Sequence, residues 1–183
     1  MLPFDTVYGL AAEPHDEAST RRLYELKGRP QQQPTALVAA SVDGLRAVLP
    51  ELDMTPAWHL LPGPFTLVIP NPQHRFPWLT GSNPDALGVR VPALPAATHA
   101  IVAAAGAVVA TSANLPGGPD PRRLEDVPDQ IRAGAAAVLD AGDLPGTPST
   151  VVDLTGSEPR ILREGAVAAD EVLRRLQAAV RST

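Results

Sequence analysis

The chain has 183 residues and a formal net charge of −5, with 44% apolar and 19% charged residues. That length is enough for one domain with a proper core, and the acidic balance argues against a protein whose main task is coating nucleic acid, which rests on neutralising phosphates. No apolar run is long enough to span a membrane. Cysteine is absent, which excludes disulfides, a thiolate nucleophile and a cysteine-based zinc site. The first residues carry no signal-like pattern, so a cytoplasmic location is expected.

In chain order, Asp5 to Ala12 begins as a strand, with Thr6 and Tyr8 able to face either a core or a ligand. Asp16 is placed to cap a helix running to about Lys27, with Leu23 and Leu26 on one face; Gly28 and Pro30 stop it. Lys27 and Arg29 therefore sit at a helix C-terminus. Cations are favourable there for the dipole, and two cations flanking a glycine also suit a polyphosphate. Lys27 is the only lysine among fifteen Lys and Arg, which marks it as a place needing a compact ammonium rather than a planar fork.

A polar linker over Gln31 to Pro34 leads to a buried strand, Thr35 to Ala40. Short helices are expected over Val42–Leu49 and Thr55–Leu61, with Pro56 suited to a first turn. Phe65 to Pro70 reads as a strand and Asn71 to Pro84 as a long loop in which His74 and Trp78 stand out. Leu87 to Pro92 alternates as a strand. Its Arg90 faces away from Leu87, Val89 and Val91, and if buried needs an internal carboxylate or a substrate anion as partner. Ala96 to Ala105 is an Ala-rich helix closed by Gly106.

The apolar run Ala107 to Ala110 is a short buried strand that opens into Ser112, Asn114 and a Gly/Pro cluster. Free backbone N–H groups and short polar side chains at such a strand end suit an anion. A helix is expected over Leu124–Arg132, a strand over Ala136–Leu139 and a Gly/Pro loop over Asp140–Pro148. The strands Ser149–Asp153 and Arg160–Arg163 read as a hairpin across Thr155–Glu158. A last amphipathic helix covers about Ala168 to Arg181. Alternating strands and helices followed by antiparallel strands give one α/β domain over 1–183, an open mixed parallel/antiparallel sheet with flanking helices, its candidate residues gathered in loops at strand ends.

Several separated pieces match one family in order: Asp5-Thr6-Val7-Tyr8-Gly9-Leu10, Lys27-Gly28-Arg29-Pro30, Pro62-Gly63-Pro64-Phe65-Thr66, Val89-Arg90-Val91-Pro92, Ser112-Ala113-Asn114, Pro148-Ser149-Thr150 and Leu162-Arg163-Glu164-Gly165. Together they resemble the YrdC family, whose best-known activity is threonylcarbamoyl-AMP synthase. The resemblance implies a twisted sheet with a basic concave cavity, and ATP, L-threonine and bicarbonate as substrates with pyrophosphate released. A separate transferase would pass the group to tRNA, with tRNA contact weak or indirect. Residue by residue, it implies ATP contacts at Lys27, Arg29, Gln33, Ser112, Asn114 and Arg163, with Lys27 and Arg29 catalytic. It implies threonine contacts at Thr6, Arg90, Ser149 and the backbone of Ala110. Mg²⁺ is expected with the nucleotide.

The chain departs from the pattern at Val38, where many members carry a threonine-binding His, at Phe4, and at Asp120, where some have a Ser near ATP. It also begins at the first motif, so the family's preceding helix and edge strand are expected to be missing. Two other activities remain compatible: a non-catalytic RNA-binding module of the same fold, and a relative that adenylates a different carbamate.

Overall fold

The computed structural model describes residues 1–52 and 57–180. Eight strands form one sheet: β1 (Leu2–Pro3), β2 (Tyr8–Ala12), β3 (Ala36–Ala39), β4 (Phe65–Pro70), β5 (Ala86–Arg90), β6 (Ala107–Ser112), β7 (Thr150–Asp153) and β8 (Arg160–Arg163). Their spatial order is β1-β2-β6-β3-β5-β4-β7-β8. The β3/β5 and β4/β7 pairs are parallel and the other five antiparallel. This is the mixed open sheet the sequence implies.

Five α-helices accompany it: α1 (Glu17–Lys27), α2 (Val42–Val48), α3 (Ala96–Ala105), α4 (Asp129–Gly134) and α5 (Ala169–Val180). They cover the two faces unequally. Side chains alternate across a strand, and one alternate set, including Leu37, Ala39, Leu67, Ile69, Leu87, Val89, Val109 and Val152, joins the main core with Leu23 and Tyr24 of α1, Leu45 of α2, Ile131 of α4 and Val172 and Leu176 of α5. The opposite set is covered only at one end. There Val38, Val108 and Ala110 pack with Leu2, Phe4 and Val102 of α3.

The rest of that second face is open, and its middle carries several small residues. One register row crosses five strands as Ala110, Ala36, Gly88, Val68 and Asp153. Small residues on an uncovered face leave room for a ligand instead of forming a core.

α1 shows how the local sequence sets the scene. Asp16 caps it, accepting from the N–H groups of Ala18 (3.1 Å) and Ser19 (3.0 Å). Gly28, at φ 64°, ends it in the left-handed conformation that glycine adopts freely, and its N–H reaches Glu25 O. The buried stripe is Thr20, Leu23, Tyr24 and Lys27, spaced 0, 3, 4 and 7. A lysine thus ends an otherwise core-facing row.

Four expectations differ from the structure. The strand at Asp5 starts only at Tyr8, because Asp5 to Val7 turn, with Phe4 N–H bonding Val7 O at 3.2 Å; the short strand β1 lies before them. The helix expected over Thr55–Leu61 is a 3-10 turn at Ala57–Leu60, and Thr55 and Pro56 fall outside the described residues. The helix over Leu124–Arg132 divides into a 3-10 turn (Leu124–Asp126) and α4, because Pro128 has no N–H to continue the first piece. Ala136–Leu139 is not a strand. It makes two bonds with the backbone of Met1, and Pro3 has no N–H with which to extend them into a ladder.

Candidate active site

On the open face lies a cavity of about 500 Å³, within the range that takes a cofactor-sized ligand. Its lining brings together residues scattered through the chain: Thr6, Arg29, Arg90, Ala110, Ser112, Ser149 and Arg163. Seven of the ten residues implicated by sequence thus share one wall. The other three do not line it. Gln33 is exposed and contributes its carbonyl to Tyr24 (2.6 Å). Lys27 and Asn114 stand directly behind Ser112.

Lys27 is 5% exposed. Its Nζ donates to Ser112 O at 2.6 Å, Asn114 O at 2.8 Å and Asn114 Oδ1 at 2.7 Å, with Ser112 Oγ at 3.4 Å. Asn114 Oδ1 also accepts from Ser112 Oγ at 2.7 Å, and its Nδ2 donates to Gly118 O at 2.7 Å. The lone ammonium therefore ties the strand-end turn into one shape, which explains the residue type: three donors on a point charge reach three converging oxygens, a task a flat guanidinium fits poorly.

Burial pushes the Lys27 ammonium down from 10.5 to about 8, with Arg29 adding to the shift and Asp120 opposing it. The folded protein thus holds this proton less tightly than the unfolded chain. The group's cost to stability is fully present below about pH 8 and fades as the pH rises towards 10.5. Because the chain has one lysine, NMR of the protein carrying ¹³C-lysine should show a single side-chain resonance titrating near pH 8; a midpoint near 10.5 would place the ammonium in water.

Four arginines line the cavity; Arg160 donates to Asp153 Oδ2 at 2.6 Å, and the other three have different partners. Arg29 donates from Nη1 to Thr111 Oγ1 (3.1 Å) and from Nη2 to Pro34 O, and lies over the Tyr24 ring. Arg163 donates from Nε and Nη2 to Ser149 O (3.2 and 2.8 Å) and reaches Ser149 Oγ at 3.2 Å. Neither has a carboxylate partner among the described residues. Arg90 does: Nη2 is 2.8 Å from Asp5 Oδ1. Burial lowers the pKa of Arg29 and Arg90, and the nearby Arg163 charge lowers both further. Arg29 and Arg163, two cations on one cavity without a carboxylate partner, suit an anion.

The sequence reading missed several lining residues. Thr66 shares a 2.8 Å hydroxyl contact with Ser149, and Thr35 fixes the floor by donating to Ala110 O at 2.9 Å. Thr66 lies in the Pro62–Thr66 motif and Thr35 begins an expected strand, so the sequence marks both places without giving either a role. Thr80, Asn83, Asp153, Thr155 and Arg160 also line the cavity, brought there by the sheet order and by the loops between its strands. Val38 has no exposure and packs with Phe4 and Val102; it is not part of the wall. His74 pairs with Asp85, and Trp78 Nε1 bonds Pro14 O, both outside the cavity.

The Sua5/YciO/YrdC family model, described as "Telomere recombination", matches residues 1–165. The threonylcarbamoyl-AMP synthase of Pyrococcus abyssi is 34% identical over 175 residues, 93% of this chain and 51% of the relative. The chain thus spans about half the length of that relative. The Shigella boydii protein of the same name is 35% identical over 171 residues, 89% of this chain and 87% of its own. The crystal structure of P. abyssi Sua5 complexed with L-threonine has a TM-score of 0.79 at 32% identity, covering 95% of this chain and 52% of that one. A cavity walled by the same motifs that order the sequence, on a sheet shared with these proteins, places the chain in the Sua5/YciO/YrdC family.

Proposed function

We propose that this protein makes threonylcarbamoyl-AMP from ATP, L-threonine and bicarbonate, releasing pyrophosphate. One observation carries the reading. Arg29 and Arg163 face a single cavity with only neutral oxygens as partners, as a site for a polyanion requires. The names of the relatives and the threonine complex of P. abyssi Sua5 point to the same substrates.

In this reading Arg90, Thr6 and Ser149 hold the amino acid. Arg29, Arg163 and the Ser112 turn hold the nucleotide, and Lys27 keeps that turn in shape. The threonine amine attacks bicarbonate and water leaves, giving a carbamate; a carbamate oxygen then attacks the α-phosphorus in line, the bond to the bridging oxygen breaks, and pyrophosphate departs. No protein nucleophile is needed. Catalysis consists of alignment and of fixed positive charge where negative charge builds on the leaving group. The product would pass to a transferase that modifies tRNA, in the cytoplasm.

Mg²⁺ belongs to the proposal. Among the described residues no group of three or more His, Cys, Asp or Glu could hold a metal. Magnesium commonly accompanies nucleotide phosphates while making few protein contacts. Asp120, which lines the cavity and joins no ion pair among the described residues, would hold it, and the ion would neutralise phosphate charge.

The test is pyrophosphate release that requires both L-threonine and bicarbonate. Release without either would overturn the assignment. Arg29→Ala should lower kcat by about 10²–10³-fold, the usual loss for a preorganised electrostatic donor, with little change in thermal unfolding. Wild-type turnover in that variant would remove Arg29 from the mechanism.

A further inference from the structure

Four arginines line the cavity; Arg160, 71% exposed, is held by Asp153 at 2.6 Å, and the other three differ from one another in a respect that bears on which anion each can take. Arg29 and Arg163 are met only by hydroxyl and carbonyl oxygens, whereas Arg90 is met by a carboxylate. Asp5 and Arg90 are both largely buried, their side chains 7% and 13% exposed. Their contact is single: Asp5 Oδ1 takes Arg90 Nη2, while Asp5 Oδ2 and Arg90 Nε are buried without partners. Arg90 nonetheless lines the cavity.

We infer that Asp5 is a specificity-determining residue that sorts the anions: by neutralising Arg90 it reserves that position for a singly charged carboxylate and confines polyphosphate to Arg29 and Arg163. The inference rests on the proposed function, since it presumes an amino acid and a triphosphate in one cavity. The physical reason is charge balance. A guanidinium already paired with a carboxylate offers directed hydrogen bonds but almost no net field, which suffices for a monoanion that also uses Thr6 and Ser149. A triphosphate gains most from unneutralised charge, and like charge at close range repels it. Without Asp5, Arg90 would lack a carboxylate partner as Arg29 and Arg163 do, and a polyphosphate would settle across Arg163 and Arg90, where the amino acid must lie.

The experiment is calorimetric titration with L-threonine and with inorganic tripolyphosphate, each alone and in the presence of the other. In the wild-type protein the two should bind without competing. In Asp5→Asn, which keeps an oxygen for Arg90 Nη2 but removes the charge, tripolyphosphate should become a competitor. Saturating tripolyphosphate should weaken L-threonine binding by about tenfold, as expected when one close charge is removed. Independent binding in the folded variant would overturn the inference alone. If Asp5→Asn fails to fold, Arg29→Gln combined with Arg163→Gln tests the same point with Asp5 in place. Tripolyphosphate binding should vanish, and residual binding displaced by L-threonine would show that Arg90 accepts polyphosphate despite Asp5. Absence of L-threonine binding by the wild-type protein would overturn the functional reading, and this inference with it.

Discussion

Lys27→Ala should both destabilise the protein and abolish threonine- and bicarbonate-dependent pyrophosphate release. The side chain holds Ser112 O, Asn114 O and Asn114 Oδ1 from within the wall. Removing it leaves these acceptors buried around a void, and each unsatisfied group costs roughly 1–3 kcal/mol, less what entering water recovers. A total of about 3 kcal/mol is expected, read as the fall in chemical-denaturation stability. Lys27→Met separates the contributions, because it fills the void but supplies no donor. It should recover part of the stability and none of the activity. If Lys27→Met were active, the ammonium would be a packing device only, and the catalytic task would rest with Arg29.

The effect on activity is transmitted through Ser112. Lys27 does not line the cavity, and Ser112 does. The lysine therefore acts by holding the strand-end turn and by placing a positive charge behind it. The net charge of −5 is no obstacle, because Arg29, Arg90 and Arg163 are gathered on one cavity, where Asp5 and Asp153 are paired and Asp120 is the carboxylate without an ion pair among the described residues.

Much of this arrangement could be read from residue order. The small polar residues after Ala107–Ala110 announced a strand end with free donors, and the isolation of Lys27 among arginines announced an unusual demand for an ammonium. That these are the same place follows only from folding, for 85 residues separate Lys27 from Ser112. The partner of Arg90 was equally hidden. Sequence left an internal carboxylate and a substrate anion open, and the internal one, Asp5, proves to be present without excluding the other. The cavity floor was illegible for a different reason. Ala36, Gly88 and Ala110 look like unremarkable strand residues until register places them side by side on the face that the helices leave bare. Local rules also misjudged Ala136–Leu139, where an apolar run lies mostly at the surface.

The glycine of Leu162-Arg163-Glu164-Gly165 carries the second large expectation. A Cβ on Gly165 would lie 2.3 Å from Pro148 O and 2.6 Å from both the C and O of Ser149. These are backbone atoms, so no side-chain rotation relieves the overlap. The same stretch is bound on several sides: Ala166 N–H to Pro148 O at 2.8 Å, Gly165 N–H to Thr150 Oγ1 at 3.1 Å and Thr150 Oγ1 to Val167 O at 2.6 Å. Gly165→Ala must therefore push the 148–150 strand start away from the segment after β8. It should cost about 3 kcal/mol, at the upper end for overpacking. Because Arg163 is seated on Ser149 O and Oγ, the displacement should also raise the KM for L-threonine more than that for ATP. Comparison with Arg163→Ala distinguishes the causes. That variant removes the guanidinium without moving Ser149, so its larger effect should fall on ATP. Equal KM changes for both substrates in Gly165→Ala would mean that the Ser149 corner is not where the amino acid binds.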